Sequence, residues 1–187
     1  RPHERRLTHL YHQWPSNPIA DEPLRPLQAT VSHCWGTLRK RICAPLLELF
    51  ALLLGLEPRA LAKRCEMSRS DNASLLRFLE YPKVAEEPGE LIAGVTAHTD
   101  FELFSVLHQQ DEGLELQHRS SGQWVLLPHN PDQIIILVGD MLERMSGGYF
   151  KATPHRVRVT SAEKPRPRRS LVFFQALDEE EKISMTP

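Results

Sequence analysis

His98 and Asp100 stand two residues apart at the end of an expected strand, where residues i and i+2 face one side with Cα atoms about 7 Å apart. An imidazole and a carboxylate so placed can converge on one cation. The pair alone says little, because nine histidines and seven aspartates in 187 residues give this spacing by chance in about one sequence of three. His129 and Asp132, one residue further apart, show how readily near-matches arise. A third donor comes later. His155 lies in Lys151-Ala152-Thr153-Pro154-His155-Arg156-Val157, with 54 residues between it and Asp100. That stretch can hold four or five strands, enough to return the chain beside the first. Two histidines and one carboxylate form a facial triad that leaves the opposite face of an octahedral metal open. Three open positions suit a metal that binds both a cosubstrate and O2. A zinc hydrolase can use the same ligands, so the triad by itself does not fix the metal.

A basic anchor follows in Arg168-Arg169-Ser170-Leu171-Val172-Phe173-Phe174, which reads as a strand pairing with the one that carries His155. Alternation puts Arg168, Ser170, Val172 and Phe174 on one face and Arg169, Leu171 and Phe173 on the other. An inward guanidinium with a hydroxyl beside it forms a fork for a carboxylate. The bland alternative, a solvated basic hairpin over residues 164–169, suits Lys164 and Arg166 better than Arg168, whose face continues with Ser170 and two apolar residues.

The elements that must position these groups differ between the two halves of the chain. Apolar residues at Leu27, Val31, Cys34, Trp35, Leu38, Ile42, Leu46, Leu49, Leu53 and Leu56 recur in steps of three and four, the stripe of an amphipathic helix. Pro45 should kink that helix or divide it in two, and Gly55 with Pro58 should end it. A short helix is expected near residues 58–63. From residue 75 onward, short apolar runs alternate with turn residues. Strands are predicted near 75–81, 91–98, 102–108, 113–118, 123–127, 133–138, 149–159 and 168–177. Eight closely spaced strands predict a mainly β fold with flanking helices, a jelly-roll or barrel rather than alternating β-α units. Residues 133–138 are nearly all apolar, so that strand should be covered on both faces. The division expected is a helical flank over 1–74 and a β core over 75–187.

Bulk properties exclude several classes. A net charge of −1 gives no field to draw in nucleic acid or acidic lipid. The longest apolar run, residues 46–56, contains Glu48 and is too short and too polar to span a bilayer. Three cysteines, Cys34, Cys43 and Cys65, with no close pair, fit reduced thiols and a cytoplasmic location. The acidic run 178–181 reads as a solvated end. His3, His9, His12, His33, His108, His118 and His129 have no partner at useful spacing.

Taken together, the motifs resemble the isopenicillin N synthase-like family of Fe(II) and 2-oxoglutarate-dependent dioxygenases. The matching stretches are Ala97-His98-Thr99-Asp100-Phe101, Gly113-Leu114-Glu115-Leu116-Gln117, Val138-Gly139-Asp140-Met141-Leu142-Glu143-Arg144-Met145-Ser146, Ala152-Thr153-Pro154-His155-Arg156-Val157 and Arg168-Arg169-Ser170. The resemblance implies a double-stranded β-helix over 75–187, with iron on His98, Asp100 and His155. It implies that Arg168 and Ser170 take the far carboxylate of 2-oxoglutarate. Tyr81, in Leu79-Glu80-Tyr81-Pro82, aligns with a tyrosine that helps hold this cosubstrate, whereas Leu79 stands where many members have Asn. Relative to the family, the chain begins inside the pattern, near His12-Gln13-Trp14-Pro15, so the barrel is expected to lack the N-terminal segment and to be open on one side.

The activity so implied uses O2 and 2-oxoglutarate, coupling oxidative decarboxylation to hydroxylation or a related oxidation of a small organic molecule. Two rivals stand beside it. One is an oxidase of the isopenicillin N synthase type that needs no 2-oxoglutarate, and the other is a non-catalytic metal-binding module.

Overall fold

The structure, a computed structural model, describes residues 21–65, 73–81, 93–158 and 167–184. By packing the chain divides into two units, Arg1–Ala73 with Leu177–Glu181, and Ser74–Ala176 with Lys182–Pro187.

In the first unit the helical stripe becomes α1 (Asp21–Leu38), one π turn (Arg39–Cys43), α2 (Ala44–Leu53) and a short α3 (Ala60–Lys63). Pro45 has no N–H to offer, and its ring crowds the carbonyl four residues back. The turn before it is widened instead of broken: the Ala44 N–H donates to the Arg39 carbonyl, five residues back. The helix is therefore not divided. The extra residue rotates everything after it by about 100°, so the predicted stripe is displaced by one position. Cys43, Leu47 and Phe50 are buried, whereas Leu49 and Leu53, expected on the buried face, are half exposed. Gly55, at φ 72°, ends α2: its N–H donates to the Leu52 carbonyl at 3.0 Å, and that of Leu56 to the Ala51 carbonyl at 2.9 Å. The acidic run is tied down more than its composition suggests. The Asp178 N–H donates to the Arg64 carbonyl (2.9 Å), and Arg64 Nε donates to Glu181 (2.8 Å). No helix among the described residues is long and apolar enough to cross a membrane.

The second unit holds β1 (Leu75–Tyr81), β2 (Ala93–His98), β3 (Phe104–Gln109), β4 (Leu114–Gln117), β5 (Trp124–Leu126), β6 (Ile135–Val138), β7 (His155–Arg158) and β8 (Arg168–Gln175), with α4 (Asp140–Met145) between β6 and β7. Two four-stranded antiparallel sheets run in the orders β1-β8-β3-β6 and β2-β7-β4-β5. Four of the pairings are nested: β4 with β5, β3 with β6, β2 with β7 and β1 with β8. This is the jelly-roll predicted from the strand pattern.

Between the sheets lies a core of Leu107 and Val172 from the first and Leu114 and Val157 from the second, with Leu79, Tyr81, Val95 and Phe174 packed against it. Fully burying a side chain of this size stabilises by about 1.5–3 kcal/mol. At one end of β8, the Ser74 hydroxyl accepts from Gln175 Nε2 (3.2 Å) and from the Ala176 N–H (3.1 Å), closing β1 onto β8.

Three strand expectations are corrected. β8 does not pair with the strand that carries His155: it lies between β1 and β3, while β7 lies in the other sheet between β2 and β4. β6 is an edge strand, and only Leu137 in it is buried outright, so it is not covered on both faces. The predicted strand over 149–159 begins only at His155 and is described as far as Arg158. The Ser146 hydroxyl accepts from the Phe150 N–H at 3.1 Å and the Ser146 carbonyl from the Tyr149 N–H at 3.0 Å, which holds residues 146–150 in a turn.

Candidate metal centre

β2 and β7 are neighbours, and their register sets His98 directly opposite His155. The pairing shifts twice between Ala93 and His98, an irregularity of the kind that re-aims a side chain. The two rings face each other with centroids 4.3 Å apart. Asp100, just past the end of β2, brings Oδ1 to 3.6 Å from Nε2 of both histidines. The structure thus brings together the three residues picked out by spacing, their donor atoms all within 4.8 Å of one another. Asp100 and His155 are buried, and His98 is exposed.

Each imidazole is oriented by the backbone carbonyl two residues before it. His98 Nδ1 lies 2.8 Å from the Thr96 carbonyl and His155 Nδ1 lies 3.1 Å from the Thr153 carbonyl. A carbonyl only accepts, so both Nδ1 atoms donate and Nε2 is the ring nitrogen each histidine turns to the shared space. Burial holds the His155 pKa below the usual histidine range, against the raising influence of the Thr153 carbonyl and Asp100, which favours the neutral ligand form. Two imidazoles and one carboxylate on one side suit a divalent first-row metal with open positions.

α4 braces the loops that carry the ligands. The first N–H groups of a helix have no partner within it. Here Gly139 donates to the Leu103 carbonyl (2.9 Å), Asp140 to the Asp100 carbonyl (2.8 Å) and Met141 to the Phe101 carbonyl (3.0 Å). From the same helix Glu143 accepts from the Ala152 N–H (2.6 Å) and from Lys151 Nζ (3.2 Å), fixing the segment that leads into His155. The Ala152 N–H is the largest influence holding the Glu143 carboxyl below the usual carboxylate range. Asp100 itself is oriented by the Ser105 hydroxyl, which donates to Oδ2. Ser105→Ala should lower metal affinity about 10–100-fold, the usual effect of removing a group that orients a ligand. Equilibrium dialysis checks this, with an unchanged melting temperature of the metal-free chain as the control for folding.

Arg168 opens β8 opposite Tyr81 and is 2% exposed. Nε donates to the Glu112 carbonyl (3.1 Å), Nη2 donates to Gln109 Oε1 (3.1 Å), and the guanidinium lies 4.9 Å from the Tyr81 ring centre. Nη1 is buried with no hydrogen-bond partner. Burial lowers the Arg168 pKa, opposed by Tyr81 and Asp111, and an arginine so placed stays charged. The guanidinium fits because residue 113 is glycine: a Cβ there would lie 2.9 Å from Arg168 Nε and 3.0 Å from the Arg158 carbonyl oxygen. Ser170, also buried, follows on the same face. Arg169, on the other face, is exposed and pairs with Glu80 at 2.6 Å. Leu79 packs against the apolar core rather than offering a polar group.

Ser105 and Gln109 are the contributors the residue pattern did not single out. Both share an inward face with Leu107 on β3, and two polar residues flanking a leucine on one inward face are the signal that would have found them. Of the three apolar residues after the metal pair, Leu103 and Phe104 are core, while Phe101 is 76% exposed.

Comparison with known proteins agrees with this geometry. The sequence profile of the 2OG-Fe(II) oxygenase superfamily matches residues 70–176. The chain is 32% identical over 173 residues to the 2-oxoglutarate-dependent dioxygenase citB of Monascus ruber, covering 86% of this chain and 47% of that protein. It is 35% identical over 151 residues to gibberellin 2-beta-dioxygenase 2 of Arabidopsis thaliana, covering 79% of this chain and 42% of that one. A 2OG-Fe(II) oxygenase family protein from Caulobacter crescentus superimposes with a TM-score of 0.77 at 29% identity, over 100% of this chain and 57% of that one. A full-length Neurospora crassa protein, solved in complex with alpha-KG, shares the fold with a TM-score of 0.78 at 22% identity, over 93% of this chain and 53% of that one. The chain spans about half the length of the curated relatives it matches. With the nested jelly-roll and the two-histidine, one-carboxylate cluster, these matches establish that the chain belongs to the 2OG-Fe(II) oxygenase superfamily.

Proposed function

We propose that this protein is an Fe(II)- and 2-oxoglutarate-dependent oxygenase that couples oxidative decarboxylation of 2-oxoglutarate to hydroxylation or a related oxidation of a small organic substrate. The observation that carries the reading is the buried, unpartnered Nη1 of Arg168 in the same barrel as the triad. A buried donor without a partner is costly. A ligand carboxylate meets that donor with a charge-assisted bond.

His98, Asp100 and His155 would hold the iron, which when bound supplies the redox chemistry of O2 activation. Arg168, with Ser170 beside it, would bind the far carboxylate, and the Tyr81 ring backs the guanidinium. Gly113 places Arg168 against the Arg158 end of β7, three residues or about 10 Å along the strand from His155. A short dicarboxylic 2-oxo acid suits that separation, its oxo-acid end toward the triad and its far end toward Arg168. The protein's share of the work is to hold these ends and keep water from the guanidinium.

Relatives named for gibberellin and leucoanthocyanidin support a small organic substrate. A net charge of −1 supports no nucleic-acid partner. We place the protein in the cytoplasm, a location that suits an odd set of three cysteines, of which Cys43 is buried with its pKa pushed up to about 12. Residues 75–187 are assigned as the catalytic core and 1–74 as a helical flank. Packing supports that division, though Leu177–Glu181 goes with the helical unit.

The test is anaerobic titration with Fe(II) and 2-oxoglutarate, followed by O2 uptake. A metal-to-ligand charge-transfer band, then uptake and succinate formation that depend on added 2-oxoglutarate, are expected. Uptake independent of 2-oxoglutarate would replace the reading by an oxidase, and absence of the band would replace it by a binding module.

A further inference from the structure

Gln109 lies on β3 opposite Ser170 of β8 and is 3% exposed. The two ends of its amide meet different neighbours. Nε2 donates to the Leu127 carbonyl at 3.3 Å, while Oε1 accepts from Arg168 Nη2 at 3.1 Å. Turned over, the amide would set its NH2 against a guanidinium that only donates and its oxygen against a carbonyl that only accepts. Both ends therefore fix one orientation, and that orientation presents a neutral acceptor to Arg168.

Neutrality matters here. With Nε on the Glu112 carbonyl, Nη2 on Gln109 and Tyr81 beside the guanidinium, the buried nitrogen left without a hydrogen-bond partner is Nη1. Asp111 is near enough to favour the charged form, yet Nη1 keeps no hydrogen-bond partner. A glutamate in place of Gln109 would be nearly the same size. It would pair with Arg168 inside the protein and engage the cation before any ligand arrived.

We propose that Gln109 is a positioning residue that sets cosubstrate specificity: it aims Arg168 Nη1 without cancelling its charge, so that the site prefers a 2-oxo acid with a second carboxylate. The proposal rests on the reading of Arg168 as the carboxylate anchor given above.

The test is anaerobic calorimetry on the full chain loaded with Fe(II), using 2-oxoglutarate and 2-oxopentanoate, which has a methyl group where the former has its far carboxylate. In wild type, 2-oxoglutarate should bind more tightly. Gln109→Glu should weaken 2-oxoglutarate about 10–100-fold, the worth of one hydrogen bond to a charged group. 2-Oxopentanoate should bind as before, so the preference collapses. Gln109→Leu keeps most of the volume, cannot aim the guanidinium and introduces no charge. It should lower the same preference about fivefold, the worth of an ordinary hydrogen bond, and it serves if the glutamate variant folds poorly. A purely structural role would weaken both acids together, and that result overturns the proposal, as does a preference that survives in both variants. Equal binding of the two acids by wild type overturns the anchor reading itself, which separates the two failures.

Discussion

Asp100→Ala is expected to abolish metal binding and 2-oxoglutarate turnover together. Asp100 is the single anionic donor of the triad, placed 3.6 Å from both histidine Nε2 atoms. Without it a divalent cation meets two neutral imidazoles and no charge compensation. The fall in metal affinity should exceed the roughly 10–100-fold seen when only a ligand's supporting partner is lost. The metal-free variant should still fold, because removing a buried carboxylate also removes the cost of burying it. Equilibrium dialysis with Fe(II), succinate release and a melting curve of the metal-free chain measure the three quantities. Substrate-linked succinate formation at the wild-type rate in Asp100→Ala, or in His98→Ala, would falsify the assignment of the ligands.

Gly139→Ala is expected to destabilise the β unit strongly. A Cβ at this position would come within 2.1 Å of the Glu102 carbonyl oxygen, 2.9 Å of its carbonyl carbon and 3.0 Å of the Asp100 carbonyl oxygen. Backbone φ at Gly139 is −105°, so conformation is not the obstacle; space is. The contacts are main-chain atoms that no side-chain rotation can clear, so α4 must move off the loop that holds Asp100. Overpacking of this kind costs about 1–3 kcal/mol, a melting-temperature loss of about 5–20 °C for a domain of this size. Metal affinity should fall with it, because the N–H groups of Gly139, Asp140 and Met141 anchor the loop carrying the carboxylate. A melting curve and metal dialysis on the same sample test both. Normal stability with normal metal binding would show that the loop gives way freely.

These two positions mark how far the sequence could be read. Asp100 was legible with His98 and His155 because residue type, spacing and chemistry are all local properties or near to it. The strands were legible for a similar reason: alternation and turn residues report local conformation. Gly139 stood in a recognised motif, but its role depends on Glu102 coming back against it, which no local pattern encodes. α4 has six residues, too few for a helical period to show. Tyr149 and Phe150 imitate a strand, yet a serine hydroxyl and carbonyl four and three residues back turn the chain there. In α2 the period was read correctly and its phase wrongly, because one proline-induced π turn inserts a residue. Gln109 showed only as a polar residue on an inward face, and its role was hidden for a different reason. Its partner Arg168 is 59 residues away, and only the pairing of β3 with β8 brings them together.

The nested pairing of the strands has a consequence for chain entropy. β4 and β5 form a hairpin whose closure spans only a short loop, and each pair outside it closes around ends already drawn together, which keeps each further closure inexpensive. The functional groups are not spread evenly over this nest. The histidines lie on its third pair, and Tyr81 and Arg168 face each other on its outermost one. The residues that would bind metal and cosubstrate are therefore those whose juxtaposition depends on the most prior order. Loosening at the inner hairpin reaches the Arg168 pair as an increase in the length of chain it must close, without any contact between the two being lost.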